Sequence, residues 1–116
     1  MTKNINSTRY YSQQQEDIVA KIVKGRRQSN SGAGHFNKGD VINSDASLLV
    51  ECKCATTSKD SFSIKKEWFE KNLKECFGMR LNNHCVAFDF GPDSSNYFII
   101  DERLMRFLVE KLEEDA

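Results

Sequence analysis

Hydrophobic and polar positions switch between two periods along this chain, and the switches mark its elements. "SQQQEDIVAKIVKG" (12–25) sets Ile18, Val19, Ile22 and Val23 at helical spacing, with Ser12 as N-cap and Gly25 as stop. "RRQSN" (26–30) fits a short edge strand, and the glycines and small polar residues of "SGAGHFNKG" (31–39) predict a loop. "DVIN" (40–43) and "LLVECKC" (48–54) read as the two strands of a hairpin around the turn "SDAS" (44–47), and "TTSKDS" as a loop. "FSIKKEWFEKNLKECFG" (62–78) predicts a second helix. Its apolar face is Ile64, Trp68, Phe69, Leu73, Cys76 and Phe77, and Gly78 ends it. "HCVAFDF" (84–90) and "YFII" (97–100) are strands joined by the turn "GPDSSN" (91–96). "DERLMRFLVEKLEED" (101–115) is a final helix, capped by Asp101, with Leu104, Leu108 and Leu112 as its seam. The order α-β-β-β-α-β-β-α predicts an α/β fold: one mixed five-stranded sheet flanked by helices. It forms a single domain over residues 1–116, with 1–11 as a flexible N-terminal arm.

Within that frame the strand at 48–54 is unusual. Side chains alternate faces along a strand. Leu48, Val50, Cys52 and Cys54 therefore share a core face, while Leu49, Glu51 and Lys53 share the other. An isolated Glu-x-Lys on a solvated face is commonplace. Asp40, at the start of the preceding strand, changes the reading, because a hairpin of this length brings it close to the end of "LLVECK". Asp40, Glu51 and Lys53 then converge at one sheet edge. Two carboxylates supply hard oxygen ligands for Mg²⁺. A bound divalent ion acidifies water and neutralises phosphate charge, and an adjacent lysine orients that water and stabilises developing negative charge. Phosphodiester hydrolysis needs such a set.

Composition narrows the partners. The formal net charge is zero, yet residues 1–80 hold 14 Lys and Arg against 9 Asp and Glu, and residues 81–116 hold 3 against 8. The asymmetry allows a basic binding surface on one part of the molecule. No apolar run approaches a membrane span, and "MTKNINSTRYYSQQQED" has no signal-peptide core, so a cytosolic protein is expected. In that compartment Cys52, Cys54, Cys76 and Cys85 read as small buried hydrophobes rather than disulfides. A Cys-x-Cys on a strand matches structural zinc poorly, although His84 beside Cys85 leaves that chemistry open.

"GDV" followed after a hairpin by "VECK" resembles the motif of the PD-(D/E)xK nuclease superfamily. More narrowly, the chain resembles archaeal-type and phage Holliday junction resolvases. The likeness rests on the first helix with its acidic residue, "SNSGAG" before the aspartate, the ExK strand, a helix ending "ECFG", and two hydrophobic strands. It covers most of residues 12–100. The resemblance implies a restriction-endonuclease-like core with Asp40, Glu51 and Lys53 as catalytic residues. It implies Mg²⁺, with Mn²⁺ as a substitute, held by Asp40, Glu51 and Glu16, and products with a 5′-phosphate and a 3′-hydroxyl. A family glutamate on the first helix maps to Glu16, with Asp17 adjacent. A serine in the glycine loop maps to Ser31 or Ser29, with Ser31 favoured. Gly39 replaces the proline of the motif's name, and the neutral overall charge departs from the basic archaeal enzymes.

The chain is therefore expected to be a structure-selective DNA endonuclease in recombination or repair. It would act on four-way junctions as a homodimer, since a junction takes two matched cuts. No small-molecule cofactor is expected, and the compartment is the host cytoplasm if a phage encodes it. Arg26, Arg27, Lys38, Lys59, Lys65 and Lys66 are the candidate phosphate contacts. His35 is a lesser catalytic candidate, and Trp68 and Phe69 read as core rather than base-stacking residues. The dimer is expected to use apolar surface from the helix at 62–78 or the final helix. Alternatives are a restriction, nicking or repair endonuclease of the same fold, or a non-catalytic DNA-binding module.

Overall fold

The computed structural model describes residues 8–28 and 40–116. Ser29, Ser31, His35, Lys38 and Gly39 lie outside the described residues, as do residues 1–7. The element order is α1 (Thr8–Ile22), β1 (Arg26–Arg27), β2 (Val41–Asn43), β3 (Leu48–Lys53), α2 (Lys66–Met79), β4 (Asn83–Phe88), β5 (Tyr97–Ile100) and α3 (Glu102–Glu114). The five strands form one sheet in sequence order, β1-β2-β3-β4-β5. Only β3 and β4 are parallel, because α2 crosses between them; the other pairs are antiparallel.

The sheet is covered on both sides. On one face Val19 of α1 is fully buried against Val41, Val50, Cys85 and Ala87, with Leu48 and Cys52 packed alongside. This is the core face that alternation in β3 predicts. The opposite face is not a wet one. Leu49 and Val86 are fully buried there, and α2 lies over it through contacts to β3 and β4. Glu51 and Lys53 therefore project under a helix rather than into open water, which raises the cost of holding charge there.

Helix boundaries depart from the expected ones for local reasons. α1 begins at Thr8, so Ser12 is interior and residues 8–11 are helical. It ends at Ile22 rather than Gly25. Lys24 takes the left-handed conformation at φ 55, and Gly25 N donates to Ala20 O at 2.8 Å, which together form a Schellman cap. Gly25 is required for a different reason: a Cβ there would lie 2.6 Å from Ile42 O. The inward side of α1 buries Gln15 and Val19, and Val23, just past its end, is half-buried, while Ile18 and Ile22 are exposed.

α2 starts at Lys66, leaving Ile64 in the preceding loop, and runs through Gly78 to Met79. Arg80 at φ 59 supplies its left-handed cap. Its inward face is Trp68, Phe69, Asn72, Cys76 and Met79; Leu73 and Phe77 point outward. α3 is capped as predicted, with Asp101 Oδ1 accepting from Leu104 N at 2.9 Å. Of its leucine seam only Leu104 is buried.

Candidate active site

The hairpin β2–β3 does what its length suggests. Asp40 immediately precedes β2; its N–H donates to Val50 O at 3.0 Å, and its Oδ2 accepts from Cys52 N at 2.7 Å. Asp40 thus straps the backbone of β3 on either side of Glu51. Lys53 follows one strand period later, and its Nζ lies 3.3 Å from Glu51 Oε2. Asp40, Glu51 and Lys53 are brought together at the end of β3, as the sequence predicts.

The charges sit in a demanding environment. The Glu51 side chain is only 8% exposed and that of Lys53 29%. Burial pushes the Asp40 carboxyl above its ordinary value of 3.8; the Cys52 N–H opposes the shift, and the neighbouring Glu51 charge adds to it. Two carboxylates are held close enough to repel, with partial burial reinforcing the effect. Such an arrangement gains from a cation.

Two flanking residues are not evident in the sequence. Lys71 of α2 places its Nζ 3.8 Å from Glu51 Oε1, so Glu51 is bracketed by Lys53 and Lys71. Gln15 of α1 is buried and donates from Nε2 to Lys53 O at 2.9 Å and to Asn96 Oδ1 at 3.0 Å, bracing the backbone of the catalytic-lysine candidate. The signal for Gln15 is its spacing to Val19 and Val23 on the inward side. Lys71 carries no such signal. Trp68 is neither plain core nor free: Lys53 Nζ sits 4.6 Å from its ring centroid, so the ring and Glu51 together fix the amine.

Glu16, rather than Asp17, faces inward; its side chain is 14% exposed against 59% for Asp17. Burial raises the Glu16 carboxyl, and the Asp40 charge raises it further, which places the two within electrostatic reach. Arg27 Nε nevertheless donates to Glu16 Oε1 at 3.3 Å and Arg27 Nη1 to Asp17 at 3.1 Å. Arg27, expected on phosphates, is thus engaged by these two acids. Among the described residues, no group of three or more His, Cys, Asp or Glu gathers to hold a metal ion. Glu16 is not joined to Asp40 and Glu51 as a third ligand, and a zinc cluster is likewise absent among these residues. His84 and Cys85 are consecutive in β4 and point to opposite faces. The four thiols are unpaired, and burial raises Cys76 to about 11 and Cys85 to about 12, as suits inert packing groups.

Of the other predicted phosphate contacts, Arg26, Lys59, Lys65 and Lys66 are exposed, and Lys66 pairs loosely with Glu70 at 4.0 Å. Lys59 and Lys65 line an open groove that Lys53 also lines. No helix is long and apolar enough to cross a membrane. No protein family, curated protein or solved structure matches this chain.

Proposed function

We propose that this chain is a metal-dependent DNA endonuclease of the PD-(D/E)xK type, most simply one that resolves four-way junctions. The observation that carries the reading is the meeting of Asp40, Glu51 and Lys53 at one strand end, with Glu51 and Lys53 3.3 Å apart and Asp40 bonded to the residue between them at 2.7 Å. A structural ion pair needs one carboxylate and one amine. The second carboxylate, Asp40, satisfies Cys52 N, yet burial and the neighbouring Glu51 charge disfavour its ionised form, and a cation between the two acids would offset both.

The donor set fits Mg²⁺. That ion is commonly held by one or two carboxylates and completes its shell with water and substrate phosphate, so the absence of a third acid is no obstacle. Asp40 and Glu51 would hold it, and Mn²⁺ would fit the same oxygens. When bound, the ion supplies charge neutralisation at the phosphate and acidifies a water. Lys53, fixed between Glu51 and the Trp68 ring, orients the attacking water and stabilises charge on the phosphoryl oxygens. Lys71 balances the negative charge on Glu51 when no ion is present. Gln15 keeps the end of β3 in place through the Lys53 carbonyl.

A junction presents two strands to cut, which suits a homodimer, and α3 supplies a face for it. Met105, Leu108, Val109 and Leu112 are exposed on this helix. Its first half carries Arg103 and Arg106 against Glu102, and its second half carries Glu110, Glu113 and Glu114 against Lys111. An antiparallel pair of α3 helices about a twofold axis would cover the apolar face and set the basic half of one against the acidic half of the other.

The purified protein should cut a labelled four-way junction in Mg²⁺, in pairs of symmetric positions, and be silent in EDTA. Cutting of plain duplex at the same rate would keep the nuclease and remove the junction preference. Silence on both substrates in Mg²⁺ and Mn²⁺ would favour the non-catalytic DNA-binding module.

A further inference from the structure

Beside Asp40 and Glu51 lies a groove of about 1170 Å³ that shares Lys53 and Trp68 with the candidate site and whose remaining lining the proposed hydrolysis leaves unused. It exceeds the roughly 300–1,000 Å³ that encloses a drug-sized ligand. Lys53, Lys59 and Lys65 line it against a single acid among the described residues, Asp60, and Phe62 and Trp68 form part of its wall. The wall is built, not incidental. Phe62 packs on Phe88 at 5.1 Å between ring centroids, and Phe88 in turn on Tyr97 at 5.7 Å. The groove loop is pinned to the β4–β5 turn: Lys59 N donates to Phe90 O at 2.8 Å and Ala55 N to Asp89 Oδ1 at 3.0 Å. Gly91, at φ 139, approaches so closely that a Cβ would lie 2.8 Å from Ser58 Cα.

Paired bases in a duplex already have both faces covered by their neighbours. Rings at a groove wall can stack only on a base that is unpaired or splayed out, and lysines along the same groove suit the phosphates of that strand. We infer that this groove holds an unpaired DNA strand beside the scissile phosphate, its bases against Phe62 and Trp68 and its backbone on Lys59 and Lys65. The inference rests on the nuclease reading for its substrate class and extends it: the preferred DNA has single-stranded character next to the cut.

Trp68 is the only tryptophan in the chain, so its fluorescence reports on the groove directly. The full-length protein is titrated in EDTA, where no cutting occurs, with an oligothymidylate and with a blunt duplex of equal length. Quenching of Trp68 by the single strand, at a concentration at least tenfold below that needed for the duplex, is the expected result. Phe62→Ala should weaken single-strand binding about 5- to 150-fold, the range for loss of one stacked base. The exposed pair Lys59→Glu and Lys65→Glu tests the groove without disturbing the aromatic packing and should weaken binding at least tenfold. An unchanged Trp68 signal, or equal response to both DNAs, would overturn the groove assignment even if junctions are cut. Quenching with no cutting in any metal would overturn the nuclease reading and leave the groove standing.

Discussion

At the residue scale, burial holds the Asp40 carboxylate where its charge is disfavoured. Burial raises its affinity for protons, and Glu51 raises it further. A group bound more tightly by protons in the folded than in the unfolded state contributes stability below its unfolded value, 3.8, and loses it as pH rises through the folded value. At neutral pH the ionised Asp40 is therefore a net strain on the fold. Asp40→Asn, which keeps an acceptor for Cys52 N, should raise Tm at pH 7, with the gain shrinking as pH falls toward 3.8. Thermal unfolding of both proteins across that range checks it, and a fall in Tm at pH 7 would show that the carboxylate has a structural role. Asp40, Glu51 and Lys53 were legible because a strand's twofold period and a short hairpin fix which residues share its end. Lys71 and Gln15 were not, because each reaches the site from a helix whose docking is set by distant contacts.

At the scale of elements, the succession and type of the helices and strands follow from the sequence pattern, and the boundaries do not. Both missed helix ends have the same cause. A non-glycine residue, Lys24 or Arg80, takes the left-handed cap that sequence reasoning assigns to Gly25 or Gly78. The exposed Ile18 and Ile22 show the other limit: the apolar residues at 18, 19, 22 and 23 offer two overlapping faces, and the docking of Gln15, Val19 and Val23 selects one. The glycines give a paired test. Gly25→Ala forces a Cβ to 2.6 Å from Ile42 O and should destabilise by about 1–3 kcal/mol. Gly78 lies within α2 with nothing near its added Cβ, so Gly78→Ala should stabilise by about 0.5–1 kcal/mol. Urea unfolding midpoints moving in opposite directions are the expected outcome; a shift in the same direction contradicts the assignment of the α2 terminus to Arg80.

For the whole molecule, the proposed homodimer rests on the exposed apolar face of α3. α3 buries only Leu104 in its own chain, while Leu112 remains 70% exposed. Sedimentation should report a dimer at micromolar concentration, and Leu108→Glu with Leu112→Glu should give a folded monomer; a wild-type monomer would remove the twofold basis for paired cuts. Function itself depends on whether one strand end performs the chemistry. The most direct measurement is single-turnover cleavage of a labelled four-way junction in Mg²⁺ by wild type, Asp40→Asn and Glu51→Gln, each shown to be folded. If Asp40 and Glu51 hold the ion as proposed, losing either removes several kcal/mol of transition-state stabilisation, so both variants should fall by about 10²–10³-fold or more. Wild-type cleavage with either variant undiminished would place the active site elsewhere in the chain.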